Sequence, residues 1–225
     1  MTHQRKTGSD TLRARIIVVD DHPVVRQGLV RMIEQEPDLE VCAEAESAEE
    51  ALKAVAEQSP SMVLLDLALR GTPGLELIKQ MRAAHPDTPV LVLSMHDESL
   101  WAERALRAGA CGFVMKQEKP RMLITKIRQA LGGGLCVSDR VSERLLRKFT
   151  GHNVEPAVAD VDHLGDRELE VLQLMAQAMS TRDIAAAMHV SVKTIEAHRE
   201  NLKRKLNLNS GAELLRYAVL RFLGT

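Results

Sequence analysis

Residues 62–76 read MVLLDLALRGTPGLE, a short apolar run that ends in Asp66 and is followed by a loop and a helical pattern. A second run, IIVVDDHPVVRQGL from Ile16, ends in Asp20 and Asp21 before another helical pattern. Short continuous apolar runs are typical of strands that are buried on both faces of a parallel sheet. The carboxyl ends of such strands form one edge, where α/β folds bind ligands. We therefore expect the three carboxylates to converge.

Three converging carboxylates are strongly unfavourable unless a cation lies among them, and oxygen ligands suit Mg²⁺. Two further side chains end predicted strands: Ser94 closes VLVLS and Lys116 closes GFVMK. A carboxylate nucleophile, a metal ion, a hydroxyl donor and an ammonium group together make a phosphoryl-transfer site. Taken singly, each side chain has a plainer explanation: Asp20 and Ser94 as helix caps, and Lys116 as a solvated strand end.

Short apolar runs alternate with amphipathic stretches along the first 130 residues, which predicts βα units and a mostly parallel sheet. Helices are predicted after each strand, with Pro23 in the first turn of the first, Ser47 capping the second and Gly109 ending the fourth. A fifth helix is expected from Pro120 to the glycines at 132–134. The five predicted strands are Ile16–Val19, Glu40–Ala45, Met62–Leu65, Val90–Leu93 and Gly112–Met115.

The pattern changes after the glycines. Ser138 can cap a short helix, and the polar stretch GHNVEPAVADVDH that follows is typical of a linker. From Asp166 onward four amphipathic helices are predicted, separated by turns at Ser180, Ser191 and 209–211. The predicted divisions are an arm (1–15), an α/β domain (16–133), a linker with a short helix (134–162) and a helical domain (163–225).

Composition limits the classes of protein. The 225 residues are 45% apolar and carry a formal net charge of −1, which gives no nucleic-acid signal for the whole chain. Residues 163–225, with nine basic against seven acidic residues, and the opening arm have a basic balance, so the acidic excess lies in the α/β part. Cys42, Cys111 and Cys136 lack metal-ligand spacing and are expected to be reduced core residues. No apolar stretch is long enough for a membrane span, and the first fifteen residues lack a secretory signal, so the cytoplasm is expected.

The stretch SVKTIEAHRENLKRKLN predicts a helix with two different faces. Ile195, Leu202 and Leu206 share one side, and polar residues occupy the other. A short helix and a tight turn precede it, as in a helix-turn-helix whose second helix enters the major groove of DNA. By charge alone, a solvated surface face explains it equally well. The expected DNA-contacting residues are Lys193, Thr194, Glu196, Ala197, Glu200, Asn201, Lys203, Arg204 and Lys205.

Several motifs resemble those of a known family. Residues 16–131, with VVDDHPVVRQGL, LLDLALRGTPGLELI, VLVLSMHDE and ALRAGACGFVMK, resemble response-regulator receiver domains. The stretch LGDRELEVLQLMAQAMSTRDIAAAMHVSVKTIEAHRENLKRKL resembles a LuxR-type helix-turn-helix. The combination is similar to the NarL/FixJ family of two-component transcription factors. The resemblance implies a doubly wound, flavodoxin-like, five-stranded receiver and an all-α domain of four helices.

The resemblance also implies a role for each site residue. Asp66 would be phosphorylated by a sensor histidine kinase. Asp21, Asp66 and the carbonyl of Ala68 would bind Mg²⁺ directly, and Asp20 would act through water. Ser94 would donate to the phosphoryl group, and Lys116 would pair with it. The aromatic ring of Phe113 would turn inward afterwards, although an ordinary core aromatic would give the same residue.

A transcription regulator, and not an enzyme, is the expected function. Its implied partners are the kinase, double-stranded promoter DNA, RNA polymerase and, after phosphorylation, a second copy of the chain that contacts the last helix, AELLRYAVLRFL. An aspartyl-phosphate phosphatase is an alternative, but its D-x-D-x-T pattern has Ala68 at the position of the general acid. An unphosphorylated regulator that kept the receiver fold is the other. The chain also departs from many receivers in having Gln117, not proline, after Lys116.

Overall fold

The computed structural model describes residues 13–69, 72–150, 161 and 163–223, and its first part is an α/β layer structure. All strands are parallel and lie in the order β2-β1-β3-β4-β5. This order confirms the predicted five-stranded parallel sheet. The strands are β1 (Ala14–Val19), β2 (Leu39–Ala45), β3 (Met62–Leu65), β4 (Val90–Ser94) and β5 (Gly112–Met115).

The first strand begins two residues earlier than predicted. Ala14 pairs with Leu39 on β2, and its backbone N–H donates to the carbonyl of Asp38, so the sheet extends over polar residues that the apolar pattern missed. The predicted arm, residues 1–15, therefore overlaps β1. Residues 1–12 of that arm lie outside the described part of the chain.

Five helices cover the two faces of the sheet. Leu29 and Ile33 of the first helix and Ile127 of the fifth pack on one face, and the other three helices pack on the opposite face. This is the doubly wound arrangement predicted from the alternating pattern. The helices are α1 (Pro23–Glu34), α2 (Ala48–Gln58), α3 (Gly74–Ala84), α4 (Glu98–Ala108) and α5 (Pro120–Leu131).

Local sequence sets where these helices begin and end. Pro23 occupies the first turn of α1, and the Ser47 side chain accepts a hydrogen bond from the Glu50 N–H at the start of α2. Gly109 ends α4 with a φ of 111°, a left-handed conformation that glycine adopts without steric cost. Each of these caps was predicted from the sequence.

A sixth helix, α6 (Asp139–Phe149), follows the receiver part and packs against α4. Ser138 caps it by accepting from the Val141 N–H. Two side-chain pairs join α6 to α4: Lys148 Nζ lies 2.6 Å from Glu103 Oε2, and the Arg144 guanidinium donates to the carbonyl of Ser99. The helix is therefore fixed to the receiver. Residues 151–160 and 162 of the predicted linker (134–162) lie outside the described residues.

Four helices form the carboxyl-terminal part, as predicted. Serines 180, 191 and 210 cap the last three through bonds from backbone N–H groups. The first of the four packs against the third and fourth around a core that includes Leu172, Ile195 and Leu214. The helices are α7 (Asp166–Ala176), α8 (Thr181–Ala187), α9 (Val192–Lys205) and α10 (Gly211–Phe222).

The three cysteines are free thiols in buried or half-buried positions, as expected from the sequence. Cys136 is buried, Cys42 and Cys111 are half-buried, and all three are free thiols. Burial raises the pKa of each thiol, to about 11 for Cys111. Within the described ranges, no helix combines the length and the apolar character needed to cross a bilayer.

Candidate phosphoryl-transfer site and DNA-reading helix

Three aspartates meet at the carboxyl edge of the sheet. Asp20 and Asp21 follow β1, and Asp66 follows the neighbouring strand β3. The backbone N–H of Asp66 donates to the carbonyl of Val19 at 2.9 Å, which fixes the two strand ends side by side. All three aspartates are buried. The structure therefore brings together the carboxylates that the sequence placed at separate strand ends.

Lys116, after β5, lies among these carboxylates. Its Nζ is 2.7 Å from Asp20 Oδ2 and 2.7 Å from Asp66 Oδ2. Burial raises the pKa of Asp66, although the ammonium group opposes that shift. Burial alone would lower the pKa of Lys116, but the attraction of Asp66 and the hydrogen bonds to both aspartates raise it above its ordinary value. One ammonium group thus faces three carboxylates, which leaves an excess of negative charge.

The donor set fits a small divalent cation. One ligand atom from each of Asp20, Asp21, His22 and Asp66 can be chosen so that all four lie within 4.8 Å of one another. Buried carboxylate oxygens with uncompensated charge are the ligands that Mg²⁺ takes in proteins. Ala68, whose carbonyl is the expected backbone ligand, is anchored beside the cluster because its N–H donates to Asp66 Oδ1 at 3.2 Å.

Ser94 ends β4 with its side chain fully buried, and its Oγ accepts a hydrogen bond from the His96 N–H at 3.2 Å. The simpler alternative, that Ser94 caps α4, is wrong because Asp97 is the cap of that helix. Asp20 likewise is not the cap residue of α1. That position belongs to His22, whose N–H donates to Asp20 Oδ1 at 2.8 Å.

The loop after Asp66 is held by close backbone packing. A Cβ added to Gly74, the first residue of α3, would lie 2.6 Å from the Cα of Leu67. Only glycine lets the start of α3 approach the residue next to Asp66 this closely. The Gly74 N–H also donates to the Leu67 carbonyl at 3.3 Å. The position of the aspartate therefore depends on a glycine eight residues later.

Two aromatic side chains of the receiver are buried. Phe113 is 0% exposed, which agrees with an ordinary core aromatic, and a turn of its ring after phosphorylation stays a prediction. Trp101 is also buried, and its indole Nε1 donates to Gln173 Oε1 of α7 at 3.1 Å. The indole therefore combines core packing with a contact to the helical domain.

The contact between the two domains was missed by sequence reasoning. His96 Nδ1 also lies 3.2 Å from Gln173 Oε1, and its ring stacks on Trp101 with centroids 4.6 Å apart. Arg104 of α4 donates to the carbonyls of Val161 and Leu164 and to the Asp166 carboxylate. Nothing in the local sequence of α7 marks Gln173 as a contact residue. We call these contacts the interdomain latch, formed by His96, Trp101, Arg104, Asp166 and Gln173.

The predicted DNA-reading helix corresponds to α9. Ile195 and Leu202 are fully buried against the domain core, as the helical wheel predicted. The turn before the helix is capped by Ser191, which also bonds to the Thr194 hydroxyl at 2.8 Å. The predicted DNA contacts that are exposed to solvent are Lys193, Glu196, Ala197, Glu200, Arg204 and Lys205.

Several predicted DNA contacts, some of them exposed, also have partners within the protein. Lys205 Nζ lies 2.6 Å from Glu168 Oε2 of α7, and Lys203 Nζ lies 2.9 Å from Glu200 Oε1. Asn201 Oδ1 accepts a hydrogen bond from the Arg204 guanidinium at 3.2 Å. A helical wheel treats each helix alone, so it did not anticipate that Lys205 would be paired with a neighbouring helix.

Comparison with known families agrees with both halves of the molecule. Residues 16–128 match the response regulator receiver domain, and residues 162–218 match the bacterial regulatory proteins of the luxR family. The chain belongs to the two-component response regulators that join a receiver domain to a LuxR-type DNA-binding domain.

Its curated relatives share this organisation over their full length. The chain is 34% identical to the oxygen regulatory protein NreC of Staphylococcus epidermidis over 214 residues, covering 93% of this chain and 98% of that protein. It is 30% identical to the transcriptional regulatory protein DegU of Brevibacillus brevis over 210 residues, covering 88% and 89% of the two chains.

Solved structures give the same result. The response regulator RcsB of Salmonella typhimurium aligns with a TM-score of 0.65 at 27% identity, covering 92% of this chain and 97% of that one. RcsB of Salmonella enterica serovar Typhimurium, bound to the promoter rprA in the presence of the phosphomimetic BeF₃⁻, aligns with a TM-score of 0.61 at 25% identity. That alignment covers 92% of this chain and 98% of the RcsB chain.

Proposed function

We propose that phosphorylation of Asp66 by a histidine kinase controls sequence-specific binding of this regulator to promoter DNA. The observation that carries the proposal is the buried cluster of Asp20, Asp21, Asp66 and Lys116 at the edge of the sheet. Asp66 is the carboxylate that accepts from Lys116 on one oxygen and from the Ala68 N–H on the other. Both partners hold it in one orientation for attack on a phosphoryl donor.

Mg²⁺, when bound to Asp21, Asp66 and the Ala68 carbonyl with Asp20 acting through water, would supply positive charge for the oxygens of the transferred group. The chain's own residues supply the rest. Lys116 stabilises charge on the phosphorylated aspartate, and the Ser94 hydroxyl donates a hydrogen bond to it. The burial of the cluster strengthens each of these interactions because little water screens them.

The latch offers a route from Asp66 to the helical domain. In this structure the Ser94 hydroxyl oxygen accepts from the His96 N–H, and the His96 ring contacts Gln173. A phosphoryl group brings about −1.5 to −2 charge and strong acceptor oxygens, so it draws the Ser94 hydroxyl toward Asp66. His96 then loses its backbone partner, and we expect its stack on Trp101 and the bonds to Gln173 to loosen.

Dimerisation of the freed domain would use the last helix. Leu220 of α10 is 64% exposed and Leu215 is 43% exposed, and Val219 lies beside them on the same surface. A row of exposed apolar side chains on one helix is typical of a protein interface. A dimer would read two half-sites and double the phosphate contacts, which the small excess of basic residues in this domain requires.

Labelling with acetyl phosphate tests the first step. With Mg²⁺ present, intact-mass spectrometry should find one added phosphoryl group in the wild-type protein and none in Asp66→Asn. An unlabelled wild-type protein, or equal labelling of the variant, would refute the assignment of Asp66. A matched control is Asp97→Asn, because Asp97 caps α4 outside the carboxylate cluster and should leave labelling unchanged.

Selection of bound sequences from random DNA tests the second step. Beryllofluoride, which imitates the phosphoryl group, should increase both the recovered DNA and the dimer fraction seen by light scattering. Asp66→Asn should show neither increase. DNA recovery that is equal with and without beryllofluoride would leave a DNA-binding protein with some other control.

A further inference from the structure

We propose that His22 is a ligand for first-row transition cations, which makes the Asp20–Asp21–Asp66 pocket a mixed nitrogen and oxygen site for Co²⁺, Ni²⁺ or Zn²⁺ as well as an oxygen site for Mg²⁺. The inference rests on the metal-binding role given to the carboxylates under the proposed function. It concerns which cations the pocket binds, and it is supported by the position of the His22 imidazole ring.

The ring of His22 faces the carboxylates. Its Nδ1 lies 2.7 Å from Asp21 Oδ1 and 3.4 Å from Asp20 Oδ1. One ring nitrogen of His22 and one oxygen from each of the three aspartates lie within 4.8 Å of one another. Two atoms bound to one ion at about 2.1 Å each are at most about 4.2 Å apart, so shifts of about half an ångström suffice.

The backbone around His22 holds the ring beside the carboxylates that its Nδ1 contacts. The residue precedes Pro23 and has an extended backbone, and its N–H is bound to Asp20 Oδ1. It occupies the capping position of α1, yet its side chain makes no capping hydrogen bond. The side chain of His22 is 60% exposed, so the ring lies at the mouth of the pocket, where an ion and its waters enter.

The ligand preference of each ion determines whether it binds the imidazole nitrogen. Mg²⁺ prefers oxygen and keeps its waters, so His22 adds nothing to its binding. Co²⁺, Ni²⁺ and Zn²⁺ take imidazole readily, and their affinities for mixed sites exceed those of harder ions. These ions would therefore compete with Mg²⁺ for the carboxylates. A pocket with carboxylates alone would discriminate between the two groups of ions less strongly.

The test measures cation binding by calorimetry and the visible absorption of bound Co²⁺. His22→Phe should weaken Co²⁺ and Zn²⁺ binding by at least about tenfold while it leaves Mg²⁺ binding within about twofold. The Co²⁺ spectrum should also change, because a nitrogen ligand has been removed. His22→Asn keeps a favourable capping residue and should behave the same way if the ring is the ligand.

Controls separate this inference from others. His189→Asn removes an exposed imidazole far along the chain at a φ of 52°, a conformation that asparagine tolerates, and should change no cation affinity. Unchanged Co²⁺ binding in His22→Phe would overturn the inference, as would equal losses for Co²⁺ and Mg²⁺. A failure of the proposed function would give a different result, because acetyl phosphate and Mg²⁺ would then not label the wild-type protein.

Discussion

The side-chain oxygen of Gln173 accepts a hydrogen bond from the indole of Trp101, 72 positions earlier in the chain, at 3.1 Å. The indole nitrogen can only donate, so this bond fixes the orientation of the Gln173 amide. The same oxygen lies 3.2 Å from His96 Nδ1, which must then carry the proton. Two residues of the receiver are thus held by one residue of the DNA-binding domain.

Replacing Gln173 with leucine should open the latch. The donors of His96 and Trp101 would lose their shared acceptor, and an unpaired buried donor costs about 1–3 kcal/mol. Trp101 is the only tryptophan, so its fluorescence should shift to longer wavelength as water reaches it. Gln177→Leu is the matched control because Gln177 is an exposed residue that follows the end of α7, four positions after Gln173. Wild-type fluorescence in Gln173→Leu would show that the hydrogen bond between Trp101 and Gln173 does not stabilise the docking of the two domains.

Acid should weaken the latch through His96. Burial lowers the pKa of His96, although the charges of Glu170 and Asp66 act in the opposite direction. The unfolded or undocked ring therefore takes up a proton at a higher pH than the docked ring. The stability of the latch is complete above the ordinary histidine pKa of about 6.5 and is lost as the pH falls through the lower docked value.

Fluorescence of Trp101 between pH 7.5 and pH 5 measures this dependence. His96→Gln should flatten the curve because glutamine does not titrate, and His189→Gln should leave it as in the wild type. An identical curve for His96→Gln would assign the pH dependence to another group.

The hydrogen bonds of Arg104 should contribute as much free energy to domain docking as the two hydrogen bonds that Gln173 accepts. Its guanidinium donates to two carbonyls and to the Asp166 carboxylate, with a nitrogen–oxygen distance of 2.7 Å for the last. Arg104→Ala should cost docking about 2 kcal/mol and increase cleavage in the linker by a protease. Arg107→Ala, one turn away and 74% exposed, should not. Equal cleavage of both variants would contradict this assignment.

The thiol of Cys111 should react slowly in the native protein. Burial raises its pKa to about 11, so the thiolate is scarce at pH 8. Alkylation by iodoacetamide should be about a hundredfold slower than in the unfolded chain and should accelerate as the pH approaches 11. Peptide mass spectrometry after timed labelling gives the rate at each cysteine. Rapid native alkylation of Cys111 at pH 8 would contradict the buried environment.

An acidic side chain at position 197 should weaken DNA binding. Ala197 is exposed on the outer face of α9, so Ala197→Glu adds charge without disturbing the core. A carboxylate close to phosphates is repelled, and we expect at least a tenfold loss of affinity for the selected DNA. Ala83→Glu, an exposed position on α3, is the charge-matched control. Unchanged DNA binding by Ala197→Glu would contradict the assignment of the outer face of α9 as the DNA-contacting surface.

Much of the receiver could be predicted because its signals are local. Apolar runs that end in Asp20 and Asp66 define strand ends, and the rules of parallel sheets then place those ends together. The contacts of Gln173 could not be found in this way. They depend on how two domains dock, and neither the period of α7 nor its composition carries that information.

Lys205 illustrates the same limit within one domain. Its place on the helical wheel suggested a phosphate contact, but the wheel does not include the neighbouring α7, where Glu168 provides a closer charge. Burial acts to raise the pKa of Glu168, but the hydrogen bonds from Lys205 and the Gly165 N–H and the positive charge of Lys205 together lower it. Lys205 is exposed and is also paired with a neighbouring helix, a contact that the pattern of a single helix does not reveal.

Helix α7 is shared by two sets of contacts. Gln173 and Asp166 connect it to the receiver, while Glu168 connects it to the end of α9. Because α7 packs against α9 and α10 in its own domain's core, the proposed undocking would move all four helices as one body and leave the shape of α9 unaltered. Such a regulator would change how often its target promoters are occupied, and the bases that it prefers would stay the same in both signalling states.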